Sequence, residues 1–279
     1  VGIVYNMGNM TINNSRFNGN IATTCVVYAY GLKTIVDNTN FTSNLITKKT
    51  LPYGACVYAQ AQVKNITLDV SNSYFANNVA EDLYSVGIAS YGYTMSYLTY
   101  RANVTATGNS FVNNTALNET IFFYNPGTNV ISGNTYENTT IGYLISGDTE
   151  TDLISGESRD ITLALANPNF YDDDLISRTS YLVNVNDANI SSSSGETYAF
   201  APSGEGTYNV YFVPATSAAP TNTLVFNVID NKCWFIGETG YSTLAEAVAA
   251  AADGDKIEGV AGTYSMDSSI KITIKCPSQ

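Results

Sequence analysis

The stretch NSYFANN, residues 72–78, decides the reading of this chain. An aromatic residue sits between asparagines, and the arrangement returns four more times. It is NNSRFNGN at 13–20, NTNFTSN at 38–44, NSFVNN at 109–114 and NTYENT at 134–139. The aromatics are Phe17, Phe41, Phe75, Phe111 and Tyr136, separated by 24, 34, 36 and 25 residues. Between them lie the short apolar runs TCVVYAYG, GACVYAQA, YSVGIAS and TIFFYN, each of a length for one strand.

That period indicates a solenoid. A coil of about 20–30 residues cannot bury its own apolar face, but stacked coils share a continuous core. Asparagine suits the corners in two ways. It tolerates left-handed backbone angles, and its amide can bond the amide of the coil above in a ladder. The aromatic position predicts a stack inside. Unequal spacing puts loops on some coils, for example around SYGYTMSYLTY, residues 90–100.

Composition narrows the function classes. Hydrophobic residues are 44% of the 279 and charged residues only 13%, too apolar for a disordered chain. The net charge of -12 lies beyond Ile145, because the acids and bases before it balance. An acidic chain without a basic patch repels phosphate backbones and anionic lipid, so neither nucleic acid nor a lipid surface is expected as a partner. No run approaches the roughly 20 apolar residues of a membrane helix. The opening VGIVYNMGNM lacks the pattern of a signal peptide, so the chain reads as a mature product or a fragment.

After IGYLISG the repeat stops at an acidic, turn-rich stretch, DTETDLISGESRD. DITLAL, SYLVNVN, ETYAFAP, GTYNVYFVPA and NTLVFNVID follow as strand-like runs between turns, the pattern of a small β-sandwich over 147–231. Tyr208, Val210 and Phe212 alternate onto one face. Beyond it, TLAEAVAAAADGDKIEGVAGTY opens with Thr243 and Glu246, a capping box. Its helix carries an apolar stripe of Leu244, Val248 and Ala251, and KIEGV and SIKITIK read as strands.

The repeat NSxFxxN followed by a short apolar strand resembles the parallel β-helix repeats of adhesin-like surface proteins of methanogenic archaea. The same coil architecture occurs in pectate-lyase-type enzymes. GEGTYNVYFVPA resembles the immunoglobulin-like modules of that adhesin-like family, and residues 232–279 resemble the helical N-terminal caps of β-helices. The resemblance implies an all-β chain. A right-handed parallel β-helix over 1–146 would precede an immunoglobulin-like β-sandwich over 147–231 and a cap-like segment with one short α-helix over 232–279. A Lys–Asn isopeptide bond inside the sandwich is excluded, because no lysine lies between Lys64 and Lys232.

A cap-like segment at 232–279 and a repeat that starts at once complement each other. One expectation is a head-to-tail homopolymer, in which the cap of one chain covers the first coils of the next. Candidate subunit contacts are then Leu244, Val248, Ile270, Ile272 and Ile274. The other is one unit of a long tandem-repeat surface protein. Both place the protein outside the cell, as a structural or adhesive surface component.

Catalytic signals are sparse. The chain has no histidine, and the six acids of the repeat region are scattered. Glu81 and Asp82 are adjacent, a pattern of solvated turns, and Arg101 is a candidate partner of Asp69 or Glu81. No phosphate loop or zinc motif occurs, and no enzyme activity, cofactor or metal site is expected. A polysaccharide lyase is the weakest reading. The acids of YDDDLIS, 172–174, suit a solvated loop better than a calcium site. Tyr91, Tyr93, Tyr97 and Tyr100 form either a tyrosine ladder on the solenoid wall or a sugar-stacking platform, which keeps surface glycans as an alternative partner. Asn9, Asn13, Asn40, Asn65, Asn103, Asn113, Asn118, Asn138 and Asn189 are candidate N-glycosylation sites. Cys25 and Cys56 fall one residue out of register, which argues against a bond between them. Cys233 and Cys276 flank the cap-like segment and are a candidate disulfide.

Overall fold

The computed structural model describes residues 3–48, 52–229 and 232–259. The repeat region is a stack of five coils, each laid against the next by parallel pairing. Coil 1 holds β1 (Val4–Asn6), β2 (Met10–Asn13), β3 (Arg16–Asn18) and β4 (Ile21–Thr23). Coil 2 holds β5 (Cys25–Ala29), β6 (Lys33–Asp37), β7 (Asn40–Thr42) and β8 (Leu45–Thr47). Coil 3 holds β9 (Ala55–Ala61), β10 (Ile66–Ser71), β11 (Tyr74–Ala76) and β12 (Val79–Glu81). Coil 4 holds β13 (Ser85–Met95), β14 (Leu98–Tyr100), β15 (Ala102–Thr107) and β16 (Ser110–Val112). Coil 5 holds β17 (Glu119–Tyr124), β18 (Asn129–Ser132) and β19 (Thr135–Glu137).

The sheets run β1-β5-β9-β13-β17, β2-β6-β10-β15-β18, β3-β7-β11-β16-β19 and β4-β8-β12. Apart from β14, each strand pairs in parallel with its equivalent in a neighbouring coil, so this is a β-helix-like fold. The repeated aromatic sets the register: Phe17, Phe41, Phe75, Phe111 and Tyr136 are successive Cα partners. Their rings stack at centroid distances of 5.0, 4.8, 4.9 and 5.4 Å, nearly parallel throughout. Each stacked pair adds about 0.5–1.5 kcal/mol beyond its buried area. The longer spacing into coil 4 is explained by β14, which folds back on β13 as an antiparallel hairpin.

Two compact units are present. The first comprises 1–148, 160–200 and 209–225, and the second 149–159, 201–208 and 226–279. The sequence-derived limits of 1–146, 147–231 and 232–279 follow composition, whereas these units follow packing. In the first unit, Tyr143–Ser146 pairs antiparallel with Arg159–Leu165. Ser180–Val185 pairs antiparallel with both Ala188–Ser194 and Gly206–Pro214. Val210 and Phe212 are buried, as their alternation predicts, and Phe212 stacks on Tyr181 at 4.5 Å.

In the second unit, Trp234–Ile236 lies between Thr239–Tyr241 and Ile257–Gly259 in an antiparallel sheet. The helix Leu244–Ala250 starts at a capping box. Thr243 Oγ1 accepts from the Glu246 N–H at 3.2 Å, and the Thr243 N–H donates to Glu246 Oε2 at 3.1 Å. Its inward residues are Leu244 and Ala247, while Val248 is 46% exposed. The inward stripe is therefore i, i+3 rather than the Leu244, Val248, Ala251 expected. Among the described residues no helix is long and apolar enough to cross a membrane.

Candidate functional site

The conspicuous chemistry of the solenoid lies at its corners. Each repeat makes two adjacent demands, met by neighbouring residues. Asn14, Asn38, Asn72, Gly108 and Gly133 have left-handed φ between β2-type and β3-type strands. Glycine replaces asparagine there because both enter this region at low cost. The residue that follows turns inward. At the next corner Gly19, Ser43, Asn77, Asn113 and Asn138 take the left-handed angle, and Asn20, Asn44, Asn78, Asn114 and Thr139 follow.

The inward asparagines form a ladder. The backbone N–H and Nδ2 of Asn20 both donate to Asn44 Oδ1, at 3.0 and 2.8 Å. Asn44 does the same to Asn78 Oδ1, at 3.0 and 2.9 Å, and Asn78 to Asn114 Oδ1, at 3.1 and 2.9 Å. Asn44, Asn78 and Asn114 also donate from Nδ2 to the carbonyls of Phe17, Phe41 and Phe75. A second column runs Ser73 to Asn109 to Asn134 in the same direction.

That second column ends on a residue outside the repeat. Asp172 Oδ1 accepts the Asn134 N–H at 3.0 Å, and Oδ2 accepts Asn134 Nδ2 at 3.3 Å and Tyr136 Oη–H at 3.0 Å. Asp172 is buried, and Arg178 lies 3.5 Å from it. The neighbouring Tyr171 closes the aromatic stack edge-on against Tyr136 at 5.4 Å. Its hydroxyl donates to Glu119 Oε2 at 2.6 Å and accepts the Thr120 N–H at 3.2 Å. Glu119 also accepts from Asn167 Nδ2 at 2.7 Å and from the Gly142 N–H at 3.1 Å. Burial pushes the Glu119 carboxyl above the usual range, against these three donors. Backbone bonds from Asn138 and Thr139 to Ala215 and Thr216 complete the closure.

The opposite end is different. β1, β2, β3 and β4 are the outermost strands of their sheets. Phe17 stacks on Phe41 with one face, and Ile21 on β4 is 77% exposed. Ile3, Tyr5 and Met7 are exposed beside it.

The outer wall carries tyrosines. Tyr5 stacks on Tyr28 and Tyr28 on Tyr58, and Tyr91 stacks on Tyr124 at 5.0 Å and 6°. Stacked rings offer their edges to solvent, whereas sugar binding needs faces. Tyr91 thus belongs to a wall ladder. Tyr93 and Tyr100 are a cross-strand pair, and Tyr97 projects from the hairpin tip, 91% exposed, beside Met95 and Leu98.

The other expected residues are scattered. Glu81 and Asp82 are exposed. Asp69, one of the two candidate partners of Arg101, pairs instead with Lys33 at 3.3 Å, while Arg101 Nη1 donates to the Pro126 carbonyl. Asp173 and Asp174 are exposed and Asp174 pairs with Arg178. Among the described residues no cluster of acids and cysteines has metal-site geometry. Asn9, Asn13, Asn65, Asn103, Asn113, Asn118, Asn138 and Asn189 are exposed, and Asn40 is half-buried. Cys25 and Cys56 are buried unbonded thiols, with Cys25 raised to about 12 by burial. Cys233 is half-buried. Cys276, Ile270, Ile272 and Ile274 lie outside the described residues.

Sequence reasoning missed the closing residues Glu119, Tyr171 and Asp172. The available signal was NFYDDD, residues 169–174, where an aromatic again follows asparagine. Comparison with protein-family models, with curated proteins and with solved structures returns no match.

Proposed function

We propose that the chain is a structural unit of an extracellular surface assembly, built by end-to-end stacking of β-helices. The segment 232–279 of one copy completes coil 1 of the next. The observation that carries this reading is the contrast between the two solenoid ends. Coil 5 is closed by Tyr171 and Asp172, while among the described residues the coil 1 strands are the outermost of their sheets, Phe17 stacks on Phe41 alone and Ile21 is exposed. Edges of that kind are natural sites for strand addition. Exposed sequons support an extracellular, glycosylated protein. In this reading the coils are right-handed, as parallel crossovers almost always are, and the antiparallel strands after coil 5 form an immunoglobulin-like sandwich. Stacking and display, rather than catalysis, are its work, as in the adhesin-like proteins that the repeats resemble.

Sedimentation and electron microscopy of the full chain test the proposal. Concentration-dependent filaments are expected, and Ile21→Lys on the β4 edge should abolish them without lowering the melting temperature. A chain that stays monomeric at every concentration, or an Ile21→Lys chain that assembles normally, refutes it. Intact mass of native material separates a homopolymer from a tandem array in one long polypeptide. The exposed hairpin tip of Met95, Tyr97 and Leu98 favours a second reading, a glycan-binding adhesin, for which monomers would bind sugars through Tyr97.

A further inference from the structure

At the coil 5 end the buried polar groups meet partners within the fold: Glu119, Tyr136, Tyr171 and Asp172 are all hydrogen-bonded. Beside them lies a local exception. The turn before β18 and the segment 169–173 enclose a groove of about 520 Å³. Asn129, Asn169 and Asp173 line it, together with Pro126, Val130 and Ile131. Asn129 Oδ1 is sealed from water and has no hydrogen-bond partner. Turning the amide over exchanges Oδ1 and Nδ2 without changing its shape, so Asn129 can present an acceptor or a donor to the groove. The side chains of Asn169 and Asp173 are exposed and bond no other residue among the described ones. Three polar side chains without protein partners therefore share one concave surface.

We propose that this groove binds a neutral saccharide. Its lining disfavours the other ligand classes. Neither Lys nor Arg lines it, so an anion would meet the Asp173 carboxylate without a counter-charge. One carboxylate is poor provision for calcium, which takes about six to eight oxygen ligands. A purely apolar ligand would desolvate three polar side chains and meet none of them. A saccharide answers each feature. Two neighbouring hydroxyls donate to the Asp173 carboxylate, and others pair with the Asn129 and Asn169 amides, which both donate and accept. The C–H side of the sugar ring lies on Pro126, Val130 and Ile131, which take the place of an aromatic face; Val130 is 50% exposed before it is covered. The frame is fixed in advance. Asn129, Val130 and Ile131 are held by pairing with β15, and Tyr171, which also lines the groove, is tied to Glu119 and Thr120. The proposal deepens the second reading above by moving carbohydrate recognition from the Tyr97 hairpin to this groove, and it holds whether or not chains stack.

Nuclear magnetic resonance of the full, isotope-labelled chain tests it. The probes are glucose, galactose, mannose, N-acetylglucosamine and their β-linked disaccharides at millimolar concentration. At least one should shift the side-chain amides of Asn129 and Asn169 and the signals of Val130 and Ile131, and the shifts should saturate. Asp173→Ala removes charge-assisted bonds and should weaken that binding about tenfold or more, and Asn129→Ala about fivefold. Neither variant deletes a side-chain bond internal to the fold, so both should melt close to the parent. Tyr97→Ala should leave the binding unchanged. A panel in which no sugar moves these groups overturns the proposal, as does an Asp173→Ala chain that binds like the parent. Binding lost in Tyr97→Ala but kept in Asp173→Ala overturns the groove and leaves the hairpin reading standing. Calcium chloride that shifts the same amides where no sugar does makes the groove a cation site and overturns the proposal as well.

Discussion

Replacing Asn78 with leucine probes the ladder where it is fully buried. The side chains have similar size, so the change deletes hydrogen bonds with little change in packing. Four bonds go: two accepted from Asn44, one donated to Asn114 Oδ1 and one to the Phe41 carbonyl. Three of them leave a polar group unmet in a dry interior, because Asn114 Oδ1 still accepts the backbone N–H of residue 78. An orphaned buried group costs about 1–3 kcal/mol, so even the low end gives about 3 kcal/mol. That is a large part of the roughly 5–15 kcal/mol that holds a typical domain folded. Asn20→Leu is the control. The Asn20 side chain makes one ladder bond, at the open end, so its loss should cost about 1 kcal/mol. Amide hydrogen exchange at Asn44 reads the difference locally, because its N–H donates to Asn78 Oδ1. Asn78→Leu should speed that exchange by about 10²-fold, since each 1.4 kcal/mol is tenfold. Asn20→Leu should change it by about tenfold at most. An Asn78→Leu protein within tenfold of the parent would show that the ladder contributes little and would refute the reasoning.

Three further outcomes follow from the closed end and the core. Tyr171→Phe removes the hydroxyl that joins Glu119 and Thr120, leaving two buried groups without it; calorimetry should show a loss of about 2–4 kcal/mol. Glu119 has a raised folded pKa, so its stabilising contribution is complete below the ordinary glutamate range and is lost as pH rises through the folded value. Glu119→Gln, once Asn167 turns its amide over, should therefore match or exceed the parent at pH 7, and the parent should gain on it as the pH falls toward 4 in parallel urea titrations. Cys25 and Cys56 are buried thiols raised by desolvation; mass spectrometry should find both unalkylated by iodoacetamide in the native chain and both alkylated in denaturant.

What the sequence disclosed was whatever repeats. The aromatic column from Phe17 to Tyr136 was readable because one ring per coil has no other place to go. The exposure of most sequons was implicit in their position at turns. The closed end was hidden for the opposite reason. Asp172 belongs to an acidic run, and acidic runs are usually solvated; the Asn134 rung, the Tyr136 hydroxyl and Arg178 together make a buried carboxylate tolerable. Glu119 looked like one of several scattered acids because its partners Asn167 and Tyr171 lie far along the chain. The helix shows a subtler limit: Leu244 and Val248 both fit an apolar stripe, but the short sheet beneath selects Leu244 with Ala247 and leaves Val248 outside.

The ladder also explains why a solenoid of such modest composition needs its ends finished. Coils in the middle have every rung satisfied by their neighbours, so adding a coil costs no new unmet group. The bonds of both columns point toward the higher-numbered coil, so the last asparagine of the second column, Asn134, carries N–H donors that a further coil would have met. Coil 5 answers with a carboxylate and an edge-on tyrosine from a segment that has left the repeat.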